Sequence, residues 1–382
     1  MQDMVKEAVQ SRYGAGAQAV EPALCCPVDY DPQYLKVIPQ EVIEKDYGCG
    51  DPSKYVRPGE TVLDLGSGTG KICFIAAQVV GPTGKVIGVD MTPAMLEVAR
   101  RNAPVVAERI GFANVEFRRG HIQDLRTNID LVDRRLHACP VTGAAEWELF
   151  QRDLADLRRA QPLIADDSID VIVSNCVLNL VADVDKPQLF AEMFRVLKRG
   201  GRIAISDIVS DEPSPPHLKD DPKLWSGCLS GALPEFEFLK LLEDVGFHGI
   251  TVAERQQEPW QIVEGIEYRS LTVMAWKGKQ GACWDKNQAV IYRGPFRSVT
   301  DDDNHTYRRG QPMAVCEKTF GLLMAEPYAG QFAPVPPYKD VAEPTPFDCT
   351  RDTVRHASET KTGVPAITRL ADGPACAPGE CC

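Results

Sequence analysis

The chain has 382 residues, of which 44% are hydrophobic and 25% are charged, so it can bury a sizeable core. Its formal net charge of −12 argues against a nucleic-acid-binding protein, which usually presents a basic face. The sequence has no apolar run of about 18 residues and no apolar segment near its start. We therefore expect a cytoplasmic protein that binds neither nucleic acid nor membranes.

The central part of the chain, from about residue 56 to about residue 210, alternates short apolar strands with helices. The predicted strands cover 61–65, 85–90, 115–119, 170–175 and 202–207, and the predicted helices cover 71–80, 93–110 and 186–198. Alternation of this kind indicates a parallel sheet with helices on both faces. The predicted fold class is therefore α/β, with a Rossmann-like sheet.

Further helices are predicted before and within this core. Residues 1–55 indicate an N-terminal helical segment, with one helix inside 1–20, a second over 37–46, and a cysteine-containing loop after it. An insertion at about 126–161 is expected to form a helical pair that lies on the sheet domain. The apolar face of this pair is predicted to carry Trp147, Phe150, Leu154 and Leu157.

The pattern changes after the core. A loop rich in Pro and Asp begins the region 211–278, in which two strands, near 250–252 and 271–276, are expected to complete the sheet. Residues 279–343 predict a small C-terminal α+β unit, with strands at AVIY and AVCEKTF. The Pro-rich residues 344–382, which end in ACAPGECC, are expected to form a mobile tail.

A glycine-rich loop, DLGSGTG from Asp64 to Gly70, joins the first predicted strand to its helix. Glycines there let a ligand approach the backbone and the helix N-terminus closely. The second strand ends at Asp90, where an acid can bind ribose hydroxyls. Dinucleotide-binding loops carry a third glycine where this chain has Ile72 or Cys73. The acid-x-Gly-x-Gly-x-Gly arrangement instead resembles that of class I methyltransferases dependent on S-adenosylmethionine (SAM).

A cysteine, Cys176, stands where the fourth strand ends, in the sequence Ser-Asn-Cys-Val. Open α/β sheets bind their ligands at this edge. Methyltransferases that act on the amino groups of nucleic acids carry an Asn/Asp-Pro-Pro-aromatic motif at this position, and this chain does not. Three roles are open for Cys176 on these grounds: a small buried residue, a covalent nucleophile, or a ligand for a soft atom.

Two further cysteines flank the sheet in the sequence. Cys49 lies in YGCG before it, and Cys228 lies in LWSGCLSGAL after it. Both segments can fold over the carboxyl ends of the strands. Three converging thiolates suit a soft, three-coordinate centre better than zinc, which prefers four ligands. The thirteen cysteines include no CxxC pair, so a zinc ribbon is not predicted.

Six motifs together resemble the arsenite SAM methyltransferases: YGCG, DLGSGTG, GVDMTPAML, SNCVLNL, FRVLKRGGRIAISDI and LWSGCLSGAL. The resemblance implies that Cys49, Cys176 and Cys228 bind trivalent arsenic. It also implies that Cys25 or Cys26 forms a disulfide with Cys49 during turnover. The insertion is longer than in the animal members, which we expect to alter substrate access.

The resemblance also implies a cofactor site. Asp90 would bind the ribose of SAM, Ile122 and Gln123 would flank the adenine, and Tyr47 would lie near the sulfonium. The full set of implied cofactor-binding residues is Tyr47, Asp64, Gly66, Ser67, Gly68, Thr69, Gly70, Asp90, Met91, Ile122, Gln123 and Asn175.

The chemistry that follows is an in-line attack of the arsenic lone pair on the methyl group, which needs no general base. Arsenite would give methylarsenite and then dimethylarsenite, as part of arsenic detoxification. Each transfer leaves arsenic formally pentavalent, so two electrons are needed from a cysteine disulfide relay. The implied partners are arsenite and methylarsenite as thiol adducts, and glutathione or thioredoxin as reductant. We expect a monomer.

Two other functions fit parts of the sequence. A class I methyltransferase could act on another small soft acceptor, such as a thiol or a selenol. Alternatively, the chain could sequester a metalloid without turnover, although the intact Asp64, glycine-rich and Asp90 pattern argues against that role.

Overall fold

The computed structural model describes residues 9, 11–16, 28–45, 47–349 and 355–360. The chain divides into two compact units, Met1–Gly278 and Lys279–Cys382. The predicted relay cysteines and the terminal cysteines lie outside the described residues: Cys25, Cys26, Cys376, Cys381 and Cys382. In the part of the chain that is described, no helix has the length and apolar character needed to cross a membrane.

The first unit contains one eight-stranded sheet. Its strands are β1 (Thr61–Leu65), β2 (Lys85–Asp90), β3 (Val115–Arg119), β4 (Ile169–Asn175), β5 (Leu197–Ser210), β6 (His248–Arg255), β7 (Gln261–Val263) and β8 (Ile266–Trp276). They lie in the order β3-β2-β1-β4-β5-β8-β6, and β7 pairs with β8. Strands β1 to β5 run parallel to one another, which confirms the predicted core.

The last strands differ from the rest of the sheet, because β8 runs antiparallel to β5, β6 and β7. Parallel neighbours need a long crossover, usually a helix, whereas antiparallel strands can follow each other through a short turn. The chain from β6 to β8 contains only such short connections. The sheet is therefore mixed, with a parallel core and an antiparallel edge.

Helices of the first unit fill the connections of the core. They are α1 (Pro32–Leu35), α2 (Gln40–Glu44), α3 (Lys71–Val80), α4 (Pro93–Ile110), α5 (Ile129–Ala138), α6 (Ala144–Ala160), α7 (Lys186–Val196), α8 (Pro216–Lys219), α9 (Pro222–Ser226) and α10 (Glu235–Val245). The helix predicted over 37–46 is wrong in extent: α2 begins after Pro39, because proline limits the helical conformation of the residue before it.

Alternate residues of the core strands feed two hydrophobic clusters, one on each face of the sheet. In β1, Leu63 and Leu65 pack with Ile172 of β4 in one cluster. Val62 and Val171 belong to the other, together with the helix α3. Both faces are buried, which explains why β1 and β4 carry apolar residues at successive positions and do not alternate strictly with polar ones.

The insertion forms the predicted helical pair, α5 and α6. Arg135 of α5 forms an ion pair with Asp153 of α6 at 2.6 Å. Phe150 is buried, but Trp147 is 53% exposed, so the predicted apolar face is only partly covered. The helical period alone did not show how much of that face meets the sheet domain.

The second unit is built from short strands and helices. They are β9 (Trp284–Asp285), β10 (Ala289–Tyr292), β11 (Ser298–Thr300), β12 (Thr306–Arg308), β13 (Pro312–Ala314), β14 (Phe332–Val335), β15 (Thr345–Pro346), α11 (Glu317–Met324) and α12 (Ala357–Thr360). The strand at AVIY is confirmed as β10. The strand predicted at AVCEKTF is wrong after Ala314, because Cys316 caps the N-terminus of α11 through the N–H of Thr319.

Candidate active site

A cavity of about 250 Å³ opens at the carboxyl ends of β1, β2 and β4. This is the edge at which open α/β sheets hold their ligands. The predicted cofactor residues that line it are Tyr47, Asp64, Gly66, Ser67, Gly68, Asp90, Met91, Ile122, Gln123 and Asn175. The structure therefore brings most of the predicted set to one cavity.

The glycine-rich loop is shaped by positive backbone angles and by one carboxylate. Gly66 has φ +73°, and a Cβ atom there would lie 2.3 Å from a methyl group of Val177. The carboxylate of Asp90 accepts hydrogen bonds from the N–H of Gly68 (2.9 Å) and of Thr92 (2.7 Å). Burial raises the pKa of Asp90. A ligand with hydroxyl donors would stabilise the charged form of this carboxylate.

The hydroxyl of Ser67 is buried in the same loop and has no hydrogen-bond partner among the described residues. Buried polar atoms are normally paired, so an unpaired hydroxyl at a cavity wall indicates a place for a polar ligand group. Together with the Asp90 carboxylate and the close backbone approach at Gly66, this donor set fits SAM.

Two residues of the predicted loop have structural positions instead. Thr69 is fully buried, and its hydroxyl donates to the carbonyl of Val42 at 3.2 Å. Gly70 has φ +93° and precedes α3, and a Cβ atom there would lie 2.6 Å from the ring of Phe117. Neither residue lines the cavity, so the geometry gives both a role in shaping the loop and not in contacting a ligand.

The three predicted cysteines belong to one buried cluster. Cys176 follows β4 directly, and it packs in the same cluster as Cys49 and Cys228. The sulfur atoms of Cys49 and Cys176 and a carboxylate oxygen of Asp207 all lie within 4.8 Å of one another. The thiol of Cys228 donates to the backbone carbonyl of Cys176 at 3.1 Å. Cys176 also lines the cavity.

The surroundings of Cys176 and of Cys49 favour the neutral forms of these two thiols. Hydrogen bonds with Cys228 and Cys49, and then burial, raise the pKa of Cys176 well above its usual value. Burial also raises the pKa of Cys49, although its hydrogen bond with Cys176 opposes the change. These groups hold their protons at neutral pH until something thiophilic replaces the protons.

Two of the three cysteines have left-handed backbone conformations. Cys176 has φ +61°, and Cys228 has φ +63°. Such angles cost about 1–2 kcal/mol for residues other than glycine. Strain of this kind persists only where the surrounding structure imposes it, and it concentrates at functional sites. Both strained residues present a thiol to the same cluster, which a packing role does not explain.

The loop that carries Cys49 is held by the side chain of Asn175. Its amide oxygen accepts from the N–H of Cys49 (2.9 Å) and of Gly50 (3.2 Å), and its NH₂ donates to the carbonyl of Gly50 (2.7 Å). Gly48 allows this contact, because a Cβ atom there would lie 2.3 Å from Asn175 Nδ2. Asn175, predicted as a cofactor residue, thus also positions a cysteine.

Asp207 is a site residue that the sequence did not reveal. It lies in β5 with its side chain fully buried, and it accepts hydrogen bonds from the N–H of Leu178 and of Ile208, both at 2.8 Å. Burial raises the pKa of this carboxyl to about 6. The available signal was its place near the carboxyl end of β5, next to the strand that precedes Cys176.

Tyr13 is a second residue that the sequence did not reveal. Its hydroxyl lies 3.9 Å from the sulfur of Cys228, and its ring meets that of Tyr47 edge to face, with centroids 6.0 Å apart. Arg12 hydrogen-bonds the carbonyl of Lys223 and the hydroxyl of Ser226, close to Cys228 in the chain. Arg12 and Tyr13 therefore contact residues 223–228, and no sequence motif predicted this contact.

Family models match both units of the chain. A model described as a methyltransferase domain matches residues 57–146 and 142–246. A model of a domain of unknown function matches residues 279–365.

Several curated relatives and one solved structure are described as methyltransferases of arsenic. An arsenite methyltransferase of Aquipseudomonas alcaligenes is 35% identical over 347 residues, which cover 85% of this chain and 89% of that protein. Human arsenite methyltransferase is 31% identical, with 78% of this chain and 73% of the human protein covered. The crystal structure of CrArsM, an arsenic(III) S-adenosylmethionine methyltransferase from Chlamydomonas reinhardtii, is 29% identical with a TM-score of 0.54, covering 85% of this chain and all of that one.

Proposed function

Because this chain belongs to the family of arsenite methyltransferases, we propose that it holds trivalent arsenic through the thiolates of Cys49, Cys176 and Cys228. The chain is an S-adenosylmethionine-dependent enzyme that methylates arsenic, as the six sequence motifs predicted. The observation that carries the proposed site is the pair of left-handed cysteines, Cys176 and Cys228, which present their thiols to one buried cluster.

SAM supplies an electrophilic methyl group when it is bound. We expect Asp90 to accept hydrogen bonds from its ribose hydroxyls, because this buried carboxylate faces the cavity. Ser67 offers its unpaired hydroxyl, and the backbone at Gly66 and Gly68 leaves room for close approach. Ile122 and Gln123 line the same cavity and would flank the adenine.

Binding of arsenic requires that each thiol lose its proton. When arsenite binds, each As–O bond that breaks is replaced by an As–S bond, and the thiol proton leaves with the hydroxyl as water. When a thiol adduct binds, the proton goes to the departing thiolate. Asp207 lies beside Cys49 and Cys176, and with a pKa of about 6 it is mostly ionised at neutral pH. We expect it to carry these protons from the buried thiols.

The bound arsenic would keep a lone pair and attack the methyl group in line. Positioning of the two reactants is then the main catalytic device, which can be worth about 7–11 kcal/mol. The arsenic becomes formally pentavalent, and two electrons return it to the trivalent state. The thiol of Cys25 or Cys26 would attack the sulfur of Cys49 and form a disulfide with it. The As–S bond of Cys49 would break, its electron pair would return to arsenic, and the attacking thiol would release its proton to solvent. Glutathione or thioredoxin in the cytoplasm would reduce that disulfide, completing a detoxification cycle with methylarsenite and dimethylarsenite as products.

The test is a methylation assay with purified protein, arsenite, SAM and glutathione or thioredoxin, followed by chromatographic speciation of arsenic. We expect methylarsenite from the wild type and none from Cys176→Ser. Cys139→Ser is the matched control, because Cys139 is an exposed cysteine of the insertion. Full activity of Cys176→Ser would refute the proposed arsenic site. An inactive wild type that still binds arsenite would instead indicate sequestration.

A further inference from the structure

The second unit contains a cysteine cluster of its own. The sulfur atoms of Cys283, Cys316 and Cys349 all lie within 4.8 Å of one another. These residues are spaced 33 positions apart in the sequence and come from three different parts of the unit. Cys283 precedes β9, Cys316 precedes α11, and Cys349 follows β15. Only the tertiary structure brings them together.

The backbone beside each cysteine is fixed. The carbonyl of Cys283 accepts from the N–H of Phe347 at 2.8 Å, next to the pairing of β9 with β15. Cys316 caps the eight-residue helix α11, where its sulfur lies 3.4 Å from the N–H and 3.2 Å from the hydroxyl of Thr319. The carbonyl of Cys349 lies 2.6 Å from Nε2 of His305. The three sulfurs are therefore held in a defined arrangement.

The surroundings shift the pKa values of two of these thiols in opposite directions. Burial and the hydrogen bond with Cys283 raise the pKa of Cys349. Although burial opposes it, hydrogen bonds with Cys349 and Cys316 and the charge of Lys318 lower the pKa of Cys283. The N-terminus of α11 adds a positive potential beside Cys316. A thiolate is the form that binds soft ions.

A small cavity lies beside two of these thiols, those of Cys316 and Cys349. A cavity of about 10 Å³ is lined by Cys316 and Cys349 together with Met313, Phe347 and Tyr307. That volume is near the minimum that admits one water-sized atom. The cavity is therefore of a size that suits one bound atom.

The number of ligands selects the kind of ion. Among the described residues, the group of side chains that could hold a metal here consists of these three cysteines and contains no fourth His, Cys, Asp or Glu. Structural zinc sites are almost always four-coordinate, so three sulfurs alone are a poor zinc site. A three-coordinate thiophilic atom that keeps a lone pair fits this donor set, and trivalent arsenic is such an atom.

We propose that the second unit binds one trivalent arsenic atom through Cys283, Cys316 and Cys349. Arsenite would lose its three hydroxyls, three As–S bonds would form, and the three thiol protons would leave with the hydroxyls as water. No electrons are transferred. This proposal depends on arsenic being the substrate of the family, and it does not depend on the proposed roles of Cys49, Cys176 and Cys228.

Protection from alkylation tests the site in the full-length wild type. The protein is reduced with a phosphine, incubated with or without arsenite, treated with iodoacetamide, and mapped by mass spectrometry. We expect arsenite to suppress alkylation of Cys283 and Cys349, which are both partly exposed, while the exposed Cys139 reacts equally in both samples. Dimethylarsenite, which can bond only one thiol, should not protect the pair.

A stoichiometry measurement adds a variant arm. We expect Cys283→Ser to bind one arsenic fewer per chain than wild type or Cys139→Ser, measured by elemental analysis after gel filtration. In Cys176→Ser, X-ray absorption should still report arsenic bound by three sulfurs. Equal alkylation of Cys283 and Cys349 with and without arsenite would overturn the proposal. So would zinc that copurifies on these cysteines and resists arsenite. Methylation by the wild type is read separately, so failure of one proposal is distinguishable from failure of the other.

Discussion

Replacing Asn175 with alanine tests whether this residue serves the arsenic or the cofactor. The substitution removes the amide that accepts from the N–H of Cys49 and of Gly50 and donates to the carbonyl of Gly50. The N–H of Cys49 is buried, and a buried donor without a partner costs roughly 1–3 kcal/mol. If that cost falls on the conformation that presents the Cys49 thiol, it corresponds to about a 5- to 150-fold loss of kcat/KM for arsenite.

The assay measures kcat/KM for arsenite and, separately, the Kd for SAM by titration calorimetry. We expect kcat/KM for arsenite to fall within that range in Asn175→Ala, while the Kd for SAM changes little. Asn114→Ala is the matched control, because the side-chain amide of Asn114 also hydrogen-bonds the backbone, donating to the carbonyls of Ala77 and Gly81 away from the cavity. A weaker affinity for SAM with unchanged arsenite kinetics would refute the positioning role and favour the cofactor role predicted from the sequence.

Three further predictions follow from backbone strain, charge burial and close packing. Cys228→Gly should be about 1–2 kcal/mol more stable than Cys228→Ala and should unfold at a higher temperature, because glycine relieves the left-handed strain. Both variants should lose methylation activity. Burial raises the pKa of Asp207 from 3.8 to about 6. At a pH between these two values, the folded state therefore keeps a proton on Asp207 that the unfolded state has lost. Stability should therefore fall as pH rises through that window, by about 3 kcal/mol in all, and Asp207→Asn should flatten the fall in urea titrations from pH 4 to pH 7. Gly66→Ala should abolish SAM binding in calorimetry, since its Cβ would meet Val177, whereas Gly68→Ala, with φ +51° and open space around it, should weaken binding less.

The parallel core could be predicted because most of its strands are short, largely apolar runs, and because β1 is followed by Gly66 and β2 ends at Asp90. The antiparallel edge could also have been recognised, because the connections within 248–276 are too short for a parallel crossover. The helix within AVCEKTF was missed because its N-terminus is capped by the thiol of Cys316, and cysteine is not one of the side chains that usually cap a helix.

The candidate active site could likewise be predicted only in part from the sequence. Cys176 could be placed at a strand end from the sequence, but its partners Cys49 and Cys228 became convincing only through a family resemblance. The sequence did not indicate Asp207 as a site residue, because it lies within a buried strand and resembles any other residue of that strand. The cluster of Cys283, Cys316 and Cys349 has no short-range signature, and only folding of the second unit brings its sulfurs within 4.8 Å.

The left-handed angles at Cys176 and Cys228 limit which side chains the site tolerates. After glycine, asparagine and aspartate adopt this conformation most readily, whereas β-branched residues do so at a high cost. Replacing both cysteines with aspartate would thus keep the backbone while exchanging sulfur donors for oxygen donors, which prefer hard cations such as calcium or manganese. The same loops offer a starting point for engineering a protein whose metal preference is set by two substitutions.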